Sequence, residues 1–348
     1  MITNDFAGAG YTRLPYSVSG YALLLLTAFI LFASLTRGVA QTELEDVHIT
    51  PRATPPVRSD RAADSESSAI TKPLKANVDL VLVPVTITDS MNRIVLGLDK
   101  QNFQVYENKQ LQTIQNVSNE DVPISIGVIF DSSGSMASKV DRARQAVLEF
   151  FKNANPRDEF FVIAFSDKPE TIADFTTSTD DIENKLLFMR PKGSTALLDA
   201  IYMGISNMRH ARYSKKALLI ISDGGDNHSR YSENDIKSSV KEADVMIYAI
   251  GLYDRYFQTQ EERLGPELLS DISSLTGGRA FEVDNPNDLA DVATKIGVEL
   301  RNQYVIGYRP QNAPHDGKWH KIKVKLLPPK GLPPLYTFAR QGYYAPSD

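Results

Sequence analysis

Four stretches of the chain are almost continuously apolar: ISIGVIF at 124–130, EFFVIAF at 159–165, KALLIIS at 216–222 and VMIYAIG at 245–251. Runs without polar alternation predict strands covered on both faces. Between them the apolar residues change to helical spacing, as at Val140, Ala143, Val147 and Phe150, and at Ala196, Ala200, Met203 and Met208. The segment PELLSDISSLTGG (266–278) adds a proline near an expected helix start and glycines at its stop. Strands alternating with helices predict an α/β domain over 121–301, with a doubly wound, mostly parallel sheet and helices on both faces. In such a sheet a ligand site belongs at the carboxyl ends of the strands.

The flanks alternate differently. VDLVLVPVTITD (78–89) and the short polar-punctuated runs up to Ser118 read as strands, as do QYVIGYRP, KWHKIKVKLL and LYTFARQGYYA after residue 302. Each flank, 76–120 and 302–348, is roughly forty residues, too few for a lone sheet to bury a core. The two flanks are therefore expected to combine in one small β-sandwich. Trp319 and the tyrosines around it read as packing or surface aromatics of that sandwich rather than a sugar-stacking platform.

Ahead of these lie two segments of other kinds. Residues 1–40 contain YALLLLTAFILFASL (21–35), about fifteen apolar residues where a spanning helix needs about 20. This reads either as a secretory signal cut after Ala40 or, lengthened through Val18, as a retained anchor. Residues 41–75 are rich in charge, proline and serine and read as a disordered linker. The protein is thus expected to be exported, periplasmic or extracellular, with membrane contact only through an uncleaved N-terminal segment. The net charge of −5 gives no basic face for nucleic acid, and with no cysteine there are no disulfides.

Oxygen-bearing side chains collect where the central strands end. Asp131, Ser133 and Ser135 follow the first strand, Thr195 lies in GSTALLDA, and Asp223 follows the third strand in LLIISDGGDN. Alone, each is ordinary turn or capping chemistry. Together they put two carboxylates on one rim, where they repel unless a proton or cation lies between them. Three hydroxyls supply neutral oxygens of the kind hard cations take, and the lack of Cys or His ligands argues against zinc. Asp226, Asn227 and His228 read as turn formers.

The set DSSGS, Thr195 and Asp223 resembles the metal-ion-dependent adhesion site of von Willebrand factor type A domains, and the flanks resemble the exported von Willebrand factor A-related proteins abundant in Acidobacteria. The resemblance implies a metal, Mg²⁺ or else Mn²⁺ or Ca²⁺, held directly by Ser133, Ser135 and Thr195, with Asp131 and Asp223 acting directly or through water. It implies that Asp199 stands behind these ligands, although a helix-start acid favoured by the dipole accounts for it equally. Ser194 departs from the pattern, where many members carry glycine. The expected function is a non-enzymatic module gripping a protein ligand whose Asp or Glu carboxylate completes the metal shell. Two other readings stand beside it. One is a structural envelope component with a stabilising metal. The other is a Mg²⁺-dependent hydrolase or phosphotransferase, against which position 133 is serine where aspartyl-phosphate chemistry needs a second acid, and no lysine or general base accompanies the linear motif.

Overall fold

The structure, a computed structural model, describes residues 80–119, 121–253, 260–311 and 315–347. The expected signal or anchor and the linker lie outside the described residues. Among those described, no helix is long and apolar enough to cross a membrane.

The first flank supplies β1 (Val81–Asp89), β2 (Phe103–Glu107), β3 (Gln110–Gln112) and β4 (Ile114–Ser118). The middle of the chain runs β5 (Ser125–Asp131), α1 (Val140–Lys152), β6 (Glu159–Phe165), β7 (Pro169–Thr176), α2 (Thr179–Leu187), α3 (Leu197–Asn207), β8 (Lys216–Ser222), α4 (Glu233–Glu242), β9 (Met246–Leu252), α5 (Gln260–Thr276), β10 (Ala280–Val283) and α6 (Leu289–Arg301). The second flank adds β11 (Tyr304–Tyr308), β12 (Trp319–Leu326), β13 (Leu335–Ala339) and β14 (Gly342–Tyr344).

The central six-stranded sheet has the order β10-β9-β8-β5-β6-β7, parallel except for the edge strand β7. Its strands lack polar alternation because each feeds two cores at once. Ile126, Val128 and Phe130 of β5, with Leu219 and Ile221 of β8, join α1, α2 and α6 on one face. Ile129 of β5, with Leu218 and Ile220 of β8, joins α3, α4 and α5 on the other. The chain moves outward from β5 to β6 and β7, then returns to place β8 on the opposite side of β5. Strand order therefore reverses between β5 and β8, the place at which open α/β sheets carry their ligand sites.

The flanks interleave. One sheet has the order β13-β1-β11-β4 and the other β14-β12-β2-β3, so each contains strands from both ends of the chain. Val83 pairs with Ile306 and Val105 with Val324, and Val83, Val85, Phe103, Val105, Tyr304, Ile306, Tyr308 and Ile322 form a shared core. That core encloses a carboxylate. Glu107 accepts hydrogen bonds from the Tyr308 and Tyr343 hydroxyls at 2.8 and 3.3 Å and lies 2.7 Å from Nδ1 of His320.

One expectation needs correcting. Pro266 is not at a helix start but inside α5, which begins at Gln260. The helix runs past the proline at the cost of one backbone bond, and this stretch brings Gly265 against Gly224.

Arg279 joins sandwich to sheet. Its guanidinium bonds fully buried Glu299 of α6 at 2.6 Å and Asn92 at 2.8 Å, and lies over the rings of Phe281 and Phe338 at 4.7 and 4.3 Å. Burial pushes Glu299 above the usual carboxylate range, and Arg279 opposes that push. Removing one partner of a buried pair strands the other charge. Arg279→Met is therefore expected to cost about 3–5 kcal/mol, read from guanidinium unfolding, whereas an exposed arginine such as Arg142 is expected to change stability by under about 0.5 kcal/mol.

Candidate metal centre

Asp131 is the last residue of β5 and Asp223 the first after β8. Because Phe130 pairs with Ile221, the two acids leave neighbouring strands on one rim, at the reversal of strand order. Both are buried, at 0% and 1% exposure.

Short hydrogen bonds order the first loop. Oδ1 of Asp131 accepts the Ser133 N–H at 2.8 Å and its hydroxyl at 2.6 Å, and Oδ2 accepts the Ser222 hydroxyl at 2.6 Å. Ser133 and Ser135 hydroxyls stand 3.1 Å apart. The Thr195 loop is laced to this one: the Gly134 N–H donates to the Gly193 carbonyl at 3.0 Å, and the Lys192 N–H to that of Ser132 at 2.9 Å. The loop after β8 grips Thr195 from the other side. The Thr195 N–H donates to Oδ1 of Asn227 at 2.9 Å, and its carbonyl accepts the N–H groups of Asn227 and His228 at 3.0 and 3.1 Å. The loops bearing all five expected ligands thus converge.

Conformation at the third loop is set by glycine. Gly224 has φ +78°, and a Cβ there would lie 2.6 Å from the Gly265 Cα. Only a residue without a side chain fits directly after Asp223.

Electrostatically the site is unbalanced. Burial first, then the Asp223 charge, pushes Asp131 up to about 7, against the bonds from Ser133 and Ser222. Among the described residues, Oδ1 of Asp223 receives only a 3.5 Å contact from the Gly225 N–H, and its buried Oδ2 has no hydrogen-bond partner. An orphaned buried oxygen costs about 1–3 kcal/mol, more when charged. The nearest cation is Lys139, absent from the expected site, whose Nζ is 3.8 Å from that oxygen while donating to the Leu252 carbonyl at 3.0 Å.

The donors suit a hard divalent cation. Among the described residues, no group of three or more His, Cys, Asp or Glu side chains converges, so a cation here would rest on two carboxylates and hydroxyls. Ser133 gives its proton to Asp131 and keeps lone pairs for a metal. The orphaned oxygen of Asp223 is the atom that such an ion would satisfy.

Asp199 faces elsewhere. It is buried, accepts the N–H groups of Arg230 and Tyr231 at 2.9 and 3.2 Å, and pairs with Nε of Arg230 at 3.1 Å. Burial raises this carboxyl, but those bonds together hold it below the usual range. Asp226, read in sequence as a turn former, accepts the Leu198 N–H at 2.8 Å and the Ser229 hydroxyl at 2.6 Å. Asp199 and Asp226 together tie the 226–231 loop to the start of α3 and so fix Thr195. A D-x-x-S spacing at Asp226 and Ser229 was the available signal. Ser222 gave none, because a serine closing an apolar strand has no distinctive neighbour in sequence.

Residues 126–225 match the family model of the von Willebrand factor type A domain. An uncharacterized protein of Borreliella burgdorferi is 22% identical over 184 residues, which take in 46% of this chain and 54% of that protein. Inter-alpha-trypsin inhibitor heavy chain H4 of Bos taurus is 22% identical over 135 residues, 35% of this chain and 15% of its own. The chain therefore spans about half the length of the first relative, at 54%, and a smaller part of the second. Among solved structures, a von Willebrand factor type A protein of Catenulispora acidiphila aligns with a TM-score of 0.45 and 12% identity, over 77% of this chain and 75% of that one.

The raised Asp131 carboxyl carries a sign. A group held higher in the folded than in the unfolded state stabilises the fold through its protonated form, so this contribution is full below 3.8 and is lost as pH rises through about 7. In a chelating buffer, Asp131→Asn is expected to be more stable than the parent at pH 8 and to flatten the parent's decline between pH 4 and 8. Denaturant midpoints across that range check it; a variant that declines as steeply as the parent contradicts it.

Proposed function

The chain carries a von Willebrand factor type A domain, and we propose that this domain serves an exported, non-enzymatic protein that binds a protein ligand through a divalent metal. Asp131, Ser133, Ser135, Thr195 and Asp223 would hold Mg²⁺, with Mn²⁺ or Ca²⁺ able to use the same oxygens. When bound, the ion supplies a positive centre that a ligand's Asp or Glu carboxylate can reach. The observation that carries this reading is the buried Oδ2 of Asp223, which lacks a hydrogen-bond partner among the described residues and lies beside a second buried carboxylate.

The chain's own residues prepare the site. Ser222 and Ser133 orient Asp131, the Asp226–Ser229 loop holds Thr195, and Gly224 lets the chain turn directly after Asp223. Most of the donors are neutral hydroxyls, so a bound cation keeps positive charge for an outside anion. A general base for hydrolysis is not supported by these contacts: position 133 is a hydroxyl, and the Lys139 amine is engaged with the Leu252 carbonyl. The apolar segment at 21–35 supports export.

Calorimetric titration of the metal-free chain with Mg²⁺ and with Mn²⁺ is expected to show one site, with affinity falling at least a hundredfold in Asp223→Ala while far-ultraviolet dichroism is retained. No heat with either ion, or equal binding by the variant, overturns the metal reading. A structural role for the metal predicts instead that chelation lowers the unfolding midpoint but leaves partner binding unchanged.

A further inference from the structure

At the rim opposite the metal centre, where the amino ends of β8 and β9 and the end of α4 face the sandwich, there is a cleft of about 310 Å³. Its volume is at the small end of the roughly 300–1,000 Å³ typical of small-molecule sites. The walls are largely apolar, built from Leu82, Val122, Met246, Leu275, Val305 and Trp319. Leu82 and Val122 keep 51% and 39% of their surface exposed. Interiors are otherwise close-packed, so an apolar crease left open between two well-packed cores forfeits contacts that a ligand could restore.

Charge at this cleft is one-sided. Among the described residues, four basic side chains line it, Lys215, Lys216, Lys241 and Arg340, against one acid, Asp244. Arg340 takes that acid at 2.8 Å. Lys215 turns inward to the Leu300 carbonyl at 2.5 Å, and burial, then the Arg301 charge, lowers it to about 8. Among the described residues neither Lys216 nor Lys241 has an acid partner, and the Lys241 amine lies 5.9 Å from the centre of the Trp319 ring. Two ammonium groups without an acid partner among the described residues, set beside an apolar wall, fit a ligand with an apolar body and an anionic head.

We propose that this cleft is a second binding site, for a small amphipathic carboxylate, with Leu82, Val305 and Trp319 holding its apolar body and Lys216 and Lys241 its carboxylate. The site shares no residue with the metal centre and stands whether or not a metal binds there.

Trp319 is the only tryptophan of the chain, so intrinsic emission reports on this cleft. Decanoate, below its micellar concentration, is expected to change the emission saturably, with decanol at least tenfold weaker. Because Lys241 itself lies over the ring, calorimetry reads the variants: K216A/K241A and L82E are each expected to lose at least tenfold in decanoate affinity. Both alter exposed or half-buried side chains, and circular dichroism verifies that they fold. Absence of a saturable change with decanoate, equal affinity for decanoate and decanol, or parent-like affinity in the double variant overturns the proposal.

Discussion

Two carboxylates buried at the ends of adjacent parallel strands impose the central constraint on this molecule. Asp131 and Asp223 are placed by backbone register, since β5 and β8 pair residue for residue up to Phe130 and Ile221. Asp131, itself paired with Phe165 of β6, cannot withdraw into water without breaking the sheet ladder. What surrounds the two acids compensates in part: Ser133 and Ser222 donate to both oxygens of Asp131, and the Lys139 ammonium comes within 3.8 Å of Asp223. The compensation is incomplete at Oδ2 of Asp223. Repulsion of this kind is tolerated in a domain whose two cores hold the strands in place from both faces.

From that constraint follows the density of backbone contacts on the rim. The Ser132–Gly134, Lys192–Ala196 and Asp226–Ser229 segments exchange hydrogen bonds with one another or with neighbouring loops. The glycine just after Asp223 is required by space as much as by conformation, with Gly224 and Gly265 meeting backbone to backbone. The consequence is a rim whose loops are ordered by their own backbone, and preorganisation spares a ligand the ordering cost it would otherwise bear.

Much of this was legible in sequence for a definite reason. Strands that feed two cores have to be apolar at every position, so β5, β6, β8 and β9 announced themselves, and an acid directly after such a run is conspicuous. What stayed hidden depends on adjacency across the chain. Lys139 follows Ser135 by four residues and looks like an ordinary residue ahead of a helix; only the fold, which brings its amine to the Leu252 carbonyl at the end of β9, places it at Asp223. Glu107 and His320 are far apart in sequence, and their pairing exists only because β2 and β12 are neighbours. Pro266 misled because a proline usually opens a helix, and nothing local reveals that the helix gives up one bond to continue past it.

The net charge of −5 conceals a division between the two ends of the central sheet. The carboxyl rim gathers acids and hydroxyls, whereas the amino rim gathers Lys215, Lys216, Lys241 and Arg340 around apolar walls. The helix α1, 13 residues and hence about 20 Å long, sets the scale of the separation. Through solvent, that is more than two screening lengths of about 8 Å at physiological ionic strength. A positive field at the base therefore need not weaken a cation's hold at the rim, nor need the acids at the rim repel an anion from the base. One sheet can present surfaces of opposite character because its length exceeds the reach of the charges placed at its ends.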